Sequence, residues 1–97
     1  MRRVVLADAA VRQFRALPKA QQLRVKDGIR LHLRENDAAE ETRNKFLLRR
    51  PSPYAEYELR LGDVRVFYRV RDETVEVVLI GRKQGNRLRI GGEEFEI

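Results

Sequence analysis

From Tyr54 to Gly81 apolar and polar residues alternate with period two, with breaks at Gly62-Asp63 and Asp72-Glu73. Both breaks carry turn chemistry, so the stretch reads as three antiparallel strands joined by two-residue loops. Ala55, Tyr57, Leu59 and Leu61 point one way; Tyr54, Glu56, Glu58 and Arg60 point the other. In the next strand Val64, Val66, Tyr68 and Val70 alternate with Arg65, Phe67, Arg69 and Arg71. One dry face and one charged face follow from that period. Two-residue loops set Leu61, Leu59 and Tyr57 opposite Val64, Val66 and Tyr68. They set Val70, Tyr68 and Val66 opposite Val75, Val77 and Leu79. These pairs make one continuous apolar surface.

The same register orders the other face into rows. Glu56, Arg69 and Glu76 form a charge-matched ladder; Glu58, Phe67 and Val78 form a mixed row; Arg60 and Arg65 fall opposite each other beside Ile80. Like charges placed so destabilise the pair unless an anion sits between them. The row therefore reads as a binding surface, with Phe67, Val78 and Ile80 as an apolar strip for a partner chain. The alternative is that the C-terminal tail covers this face.

Upstream, Arg3-Val4-Val5-Leu6 reads as a short strand and Asp8 as an N-cap. Ala10, Val11, Phe14 and Leu17 have helical spacing, and Pro18 stops that helix and can start the next. The second helix runs from about Lys19 to Glu35 with Leu23, Val25, Ile29 and Leu33 as its buried side, ending at Asn36-Asp37. The acidic stretch from Asp37 to Thr42 is a loop or further helical turn. Asn44-Lys45 introduces a short apolar run, and the Arg49–Pro53 segment is a basic turn. After the sheet, basic residues Arg82, Lys83, Arg87 and Arg89 surround a Gly-Asn turn, and the chain ends in a bend at Gly91-Gly92 and a short strand or tail. The fold class expected is α+β: an N-terminal strand, a helical hairpin, then a curved antiparallel sheet, as one domain over residues 1–97.

Charge sharpens this picture. Net charge is +6, and residues 43–89 hold 12 Lys/Arg against 6 Asp/Glu, while the remainder balances. A basic excess confined to the sheet region favours a polyanionic partner. The absence of cysteine excludes disulfides and thiolate chemistry and suits the cytoplasm. No apolar run spans a membrane. One histidine, His32, and one serine, Ser52, leave neither a metal site nor a serine-hydrolase pattern, and no cofactor is expected. His32 reads as a surface or half-buried helix position. RNA cleavage stays open, because RNA brings its own 2′-hydroxyl. Basic side chains would stabilise the phosphorane, and Glu58, Glu56, Lys83 or Tyr54 would move protons.

The run YELRLGDVRVFYRV, followed by VEVVLIG and basic residues, resembles the RelE/ParE superfamily of toxins from bacterial type II toxin–antitoxin systems. The hinge Leu17-Pro18-Lys19 and Asn44-Lys45 before the sheet resemble it too. The resemblance implies a toxin held by a cognate antitoxin. Some members cut mRNA on the ribosome; others poison DNA gyrase, and a catalytically degenerate binding module is a further possibility. For the ribonuclease members it implies a catalytic arginine at Arg65 and a basic residue at Arg82 or Lys83. With Glu58 as candidate proton carrier, the expected catalytic set is Arg65, Lys83 and Glu58; the sheet face and its flanks add phosphate contacts from Arg60, Arg82, Arg87, Arg89 and Lys45, and antitoxin contacts at Phe67, Val78 and Ile80. Two departures stand out. Glu56 and Glu58 occupy strand positions where such members place lysines, and Arg89 stands in place of a tyrosine.

Overall fold

The structure is a computed structural model that describes residues 2–49, 55–85, 87–90 and 93–96, with backbone alone at 89, 90 and 93–96. Strand β1 (Arg3–Leu6) leads into helix α1 (Asp8–Ala16) and helix α2 (Lys19–Gly28), which continues as π-helical turns over Ile29–Glu35. Strands β2 (Lys45–Leu47), β3 (Tyr57–Leu61), β4 (Val64–Arg71), β5 (Thr74–Gln84), β6 (Arg87–Ile90) and β7 (Glu93–Glu96) follow. The sheet runs β2-β3-β4-β5-β6-β7, and β1 joins β5 in parallel, so the expected α+β architecture is present. Residues 50–54, which hold all but Arg49 of the basic turn expected over Arg49–Pro53 and the proton-transfer candidate Tyr54, lie outside the described residues, as does the Gly91-Gly92 bend.

The helical hairpin covers the dry face of the sheet. Val25 and Leu33 from the second helix join Leu59, Val64, Val66, Tyr68, Val75, Val77 and Ile80 in one buried cluster. Gly28 sits where the helix comes nearest to the sheet; a Cβ there would lie 2.5 Å from Leu61 Cδ1. Leu23, expected on the buried side, is 55% exposed. At about 100° per residue it points away from Val25, two positions on. The helix starts also differ from expectation. Ala7 is the N-cap of α1, and Asp8 is its first residue; Pro18 is the N-cap of α2.

The first hairpin has the expected register: Leu61 faces Val64, Leu59 faces Val66, Tyr57 faces Tyr68. The rings of Tyr57 and Tyr68 stack with centroids 5.2 Å apart. The second hairpin keeps it only as far as Tyr68–Val77. There β5 carries an extra residue, so Phe67 faces Leu79, Val66 faces Ile80 and Arg65 faces Gly81. A bulge of this kind shifts every later side chain on its strand by one position. Ile80 therefore enters the core at 2% exposure, and the expected pairs Val66–Leu79 and Arg65–Ile80 do not form.

Candidate functional site

The face turned away from the helices collects the residues of interest through strand parity. Phe46 of β2 pairs with Glu58, and Glu58 pairs with Phe67; Arg60 pairs with Arg65, which pairs with Gly81. Gly81 has no side chain and is buried, as is Arg65. Arg60 lies over the Phe46 ring, 4.6 Å from its centroid. Such a cation–π contact fixes the guanidinium without neutralising it.

The anion between the two arginines belongs to this chain. Glu58 Oε2 accepts from Arg60 Nε at 2.8 Å and lies 3.9 Å from Arg65 Nε. The like-charge pair therefore does not require an external anion, contrary to the expectation from sequence. Arg65 is further committed to its own backbone. Its Nη1 donates to Gly62 O at 2.6 Å and to Val64 O at 3.1 Å, and the residue is 8% exposed. Burial, and then the neighbouring Arg60 charge, lower its pKa, against the pull of Glu58 and Asp63. Arg60 is the exposed member of the pair.

The turn that Arg65 grips is held from the other side as well. Gln21 Nε2 donates to both carboxylate oxygens of Asp63 at 3.0 and 3.2 Å, and Arg24 lies 3.3 Å from Oδ1. The Asp63 carbonyl accepts from the Lys83 backbone at 2.7 Å. Gly62 has φ +65°, in the left-handed region that favours glycine, and a Cβ there would meet Arg24 Nη1 at 2.6 Å. This clamp is silent in the residue pattern, because Gln21 and Arg24 look like ordinary polar helix positions.

The remaining site residues divide. Lys83 is half-buried and pairs with Leu88, which packs with Phe67 and Ala55, so it shares the arginine face. Arg82 pairs with Val64 of the core, which puts it on the opposite side of the sheet from Arg65; its Nε is buried without a hydrogen-bond partner. Arg87 is exposed opposite Gln84 and Glu96, and Arg89 falls opposite Arg82 and Glu94 in register. Lys45 is not positioned to meet phosphate. It is 1% exposed, and its ammonium donates to His32 O and Asp37 O at 2.7 Å each, at the end of the long helix. Burial lowers its pKa. His32 is half-buried, and its pKa is lowered by burial and then by the Lys45 charge.

The apolar strip expected for a partner is not laid out on the surface. Phe67 is 9% exposed and packs with Ala55 and Leu88 against Leu48 and Leu79. Val78 is the half-buried extra residue of the bulge, and Ile80 is in the core. Leu88 comes from the C-terminal hairpin, so that hairpin covers this part of the face. The expected ladder is also rearranged: Arg69 pairs with Glu76 at 2.5 Å, but Glu56 pairs with Arg71 at 2.9 Å. Among the described residues no cluster of acids and histidine could hold a metal, and no helix is long and apolar enough to cross a membrane.

A helical hairpin laid on one face of a largely antiparallel sheet, with β1 added in parallel, is the RelE-like fold. The archaeal RelE of a RelE–RelB complex from Pyrococcus horikoshii OT3 superimposes with a TM-score of 0.66, covering 87% of this chain and 96% of that one at 24% identity. Residues 4–86 match the family model described as the ParE toxin of the type II toxin–antitoxin system parDE, and the chain belongs to that family. No curated protein matches it significantly in sequence.

Proposed function

We propose that this toxin acts by binding a protein target, DNA gyrase, and does not cut RNA, and that a cognate antitoxin holds it in check. The observation that carries this reading is the shared carboxylate. Glu58 lies between Arg60 and Arg65, and Arg65 spends its Nη1 donors on Gly62 and Val64. A cleaving site needs a cation free to meet the phosphorane and a base free to take the 2′-hydroxyl proton. Here one group of each kind is engaged with the other. Lys45 is buried under the helix end, and Arg82 is across the sheet, so two further phosphate contacts are withdrawn. The family match is to ParE toxins of type II toxin–antitoxin systems, and a gyrase target is what the sequence resemblance implies for the ParE-like branch.

A ribosome-dependent ribonuclease is the second reading. It is favoured by Arg60, Arg65 and Lys83 sharing one face. Expression of the chain alone, followed by plasmid topology and mapping of mRNA ends, separates the two. Binding to gyrase predicts relaxed plasmid or trapped DNA breaks with intact mRNA; cleavage predicts codon-phased cuts with normal supercoiling.

A further inference from the structure

Arg82 is an unpaired charge on the helix side of the sheet. It lies opposite Val64, which is fully buried, and two positions along β5 from Ile80, which is 2% exposed. Strand parity therefore lays its stem along the margin of the core. Arg82 is half-buried, and its Nε is shut from solvent without a hydrogen-bond partner. None of the ion pairs among the described residues involves it.

The acids around it are committed to other groups. Asp63 borders Arg82, since its carbonyl accepts from the Lys83 backbone at 2.7 Å. Its carboxylate, however, is held by Gln21 and Arg24 from α2. On the other flank, Arg82 falls opposite Arg89 in register, and Arg89 in turn falls opposite Glu94, as Arg87 does opposite Glu96. The C-terminal hairpin thus sets a glutamate against each of its own arginines and none against Arg82. A buried guanidinium N–H without an acceptor is destabilising, and such donors are as a rule matched in native proteins and their complexes.

From these features we infer that Arg82 receives a carboxylate side chain of the protein target, paired side-on through Nε and Nη. The inference rests on the reading that the toxin acts by binding gyrase, and it assigns one contact of that complex. The guanidinium fork presents its Nε and Nη donors in one plane, which matches the two oxygens of a carboxylate. At the margin of an apolar core such a pair is less screened by water than one on an open face, and arginines so placed are frequent anchors of protein interfaces. Nucleic acid is the poorer fit. A polyanion entering here would run past Asp63 and along β7, which carries Glu93, Glu94 and Glu96.

Two measurements on the full chain test this: the melting temperature of the free protein, and affinity for purified gyrase by biolayer interferometry. Both are made on the wild type, Arg82→Met and Arg82→Lys. Methionine keeps the stem and removes the unpaired charge, so free Arg82→Met melts at or above the wild-type temperature. It binds gyrase at least about thirtyfold more weakly, the loss that follows when one partner of a buried charge pair is removed. Arg82→Lys lacks Nε and does not recover the affinity. A lower melting temperature for Arg82→Met means that the guanidinium is already paired within the chain, and overturns the inference. Full recovery by lysine overturns the side-on pairing. Unchanged gyrase affinity of Arg82→Met overturns the contact and leaves the gyrase reading standing, and Arg82-dependent binding to plasmid DNA without gyrase overturns the choice of a carboxylate. If the wild type does not bind gyrase at all, the gyrase reading falls and this contact with it.

Discussion

Lys45 donates its ammonium to the carbonyl of His32, 13 residues earlier, at 2.7 Å, and a second carbonyl, Asp37 O, completes the cap. A helix C-terminus leaves its last carbonyls without partners, and a cation there also meets the negative end of the helix dipole. Asn36 contributes in the same way, donating to Leu31 O at 2.7 Å. Lys45 thereby ties β2 to the helical hairpin. Replacing it with alanine leaves two carbonyls unsatisfied and lowers unfolding free energy by about 1–3 kcal/mol in chemical denaturation. A lysine that served only RNA would show no such loss.

Tyr68 supplies the opposite end of this loop. Its hydroxyl donates to Ala38 O at 2.8 Å from a fully buried ring. Burial, then the neighbouring Tyr57 and Asp37, raise its pKa well above the ordinary value of 10.0. The native state therefore keeps this proton after the unfolded chain has released it, so stability falls as pH rises above 10. Compared with Tyr68→Phe at each pH, the wild type loses up to about 1.4 kcal/mol per pH unit in that range. Near neutrality the wild type is the more stable by about 0.5–1.5 kcal/mol. Paired denaturation curves from pH 7 to 11 measure both effects.

The bulge in β5 gives a sharp contrast between neighbours. Ile80 is 2% exposed in the core, and Val78 is half-buried at the extra position. Ile80→Ala costs about 2–5 kcal/mol, in the range for a large-to-small core substitution. Val78→Ala costs clearly less. Equal losses at the two positions, measured by urea melts, contradict the register described here.

How much of this was legible follows from these residues. The turns at Gly62-Asp63 and Asp72-Glu73 carry their own chemistry, and the strict alternation of β3 and β4 fixes their pairing. Val77-Val78-Leu79-Ile80 is apolar throughout, so it has no parity signal, and a bulge inside it is silent. That silence moved Ile80 to the wrong face. Lys45 misled for another reason: a cation beside a basic sheet looks like a phosphate ligand, and the two carbonyls that hold it come from the helix end. The arginine pair was correctly placed on one face. Its counter-ion is not legible from the pattern, because Glu58 lies one row away in a flat register, and a long side chain reaches across that row.

Glu58→Gln tests the shared carboxylate. The change removes one negative charge from between Arg60 and Arg65, so Arg60 becomes available to polyanions. Affinity for single-stranded RNA rises, and the slope of log affinity against log salt steepens by about 0.7, the increment for one added phosphate contact on a single strand. Fluorescence titration of a labelled oligonucleotide at several salt concentrations reads it. An unchanged slope means that Glu58 does not screen the pair.

The most direct measurement of the central claim is supercoiling of relaxed plasmid by purified gyrase, titrated with this chain, beside a ribosome-programmed mRNA cleavage assay with the same preparation. A binding toxin with its arginine pair internally compensated blocks supercoiling and leaves the message intact. Normal supercoiling together with cuts in the message would contradict the account and restore Arg65 and Lys83 to catalytic roles.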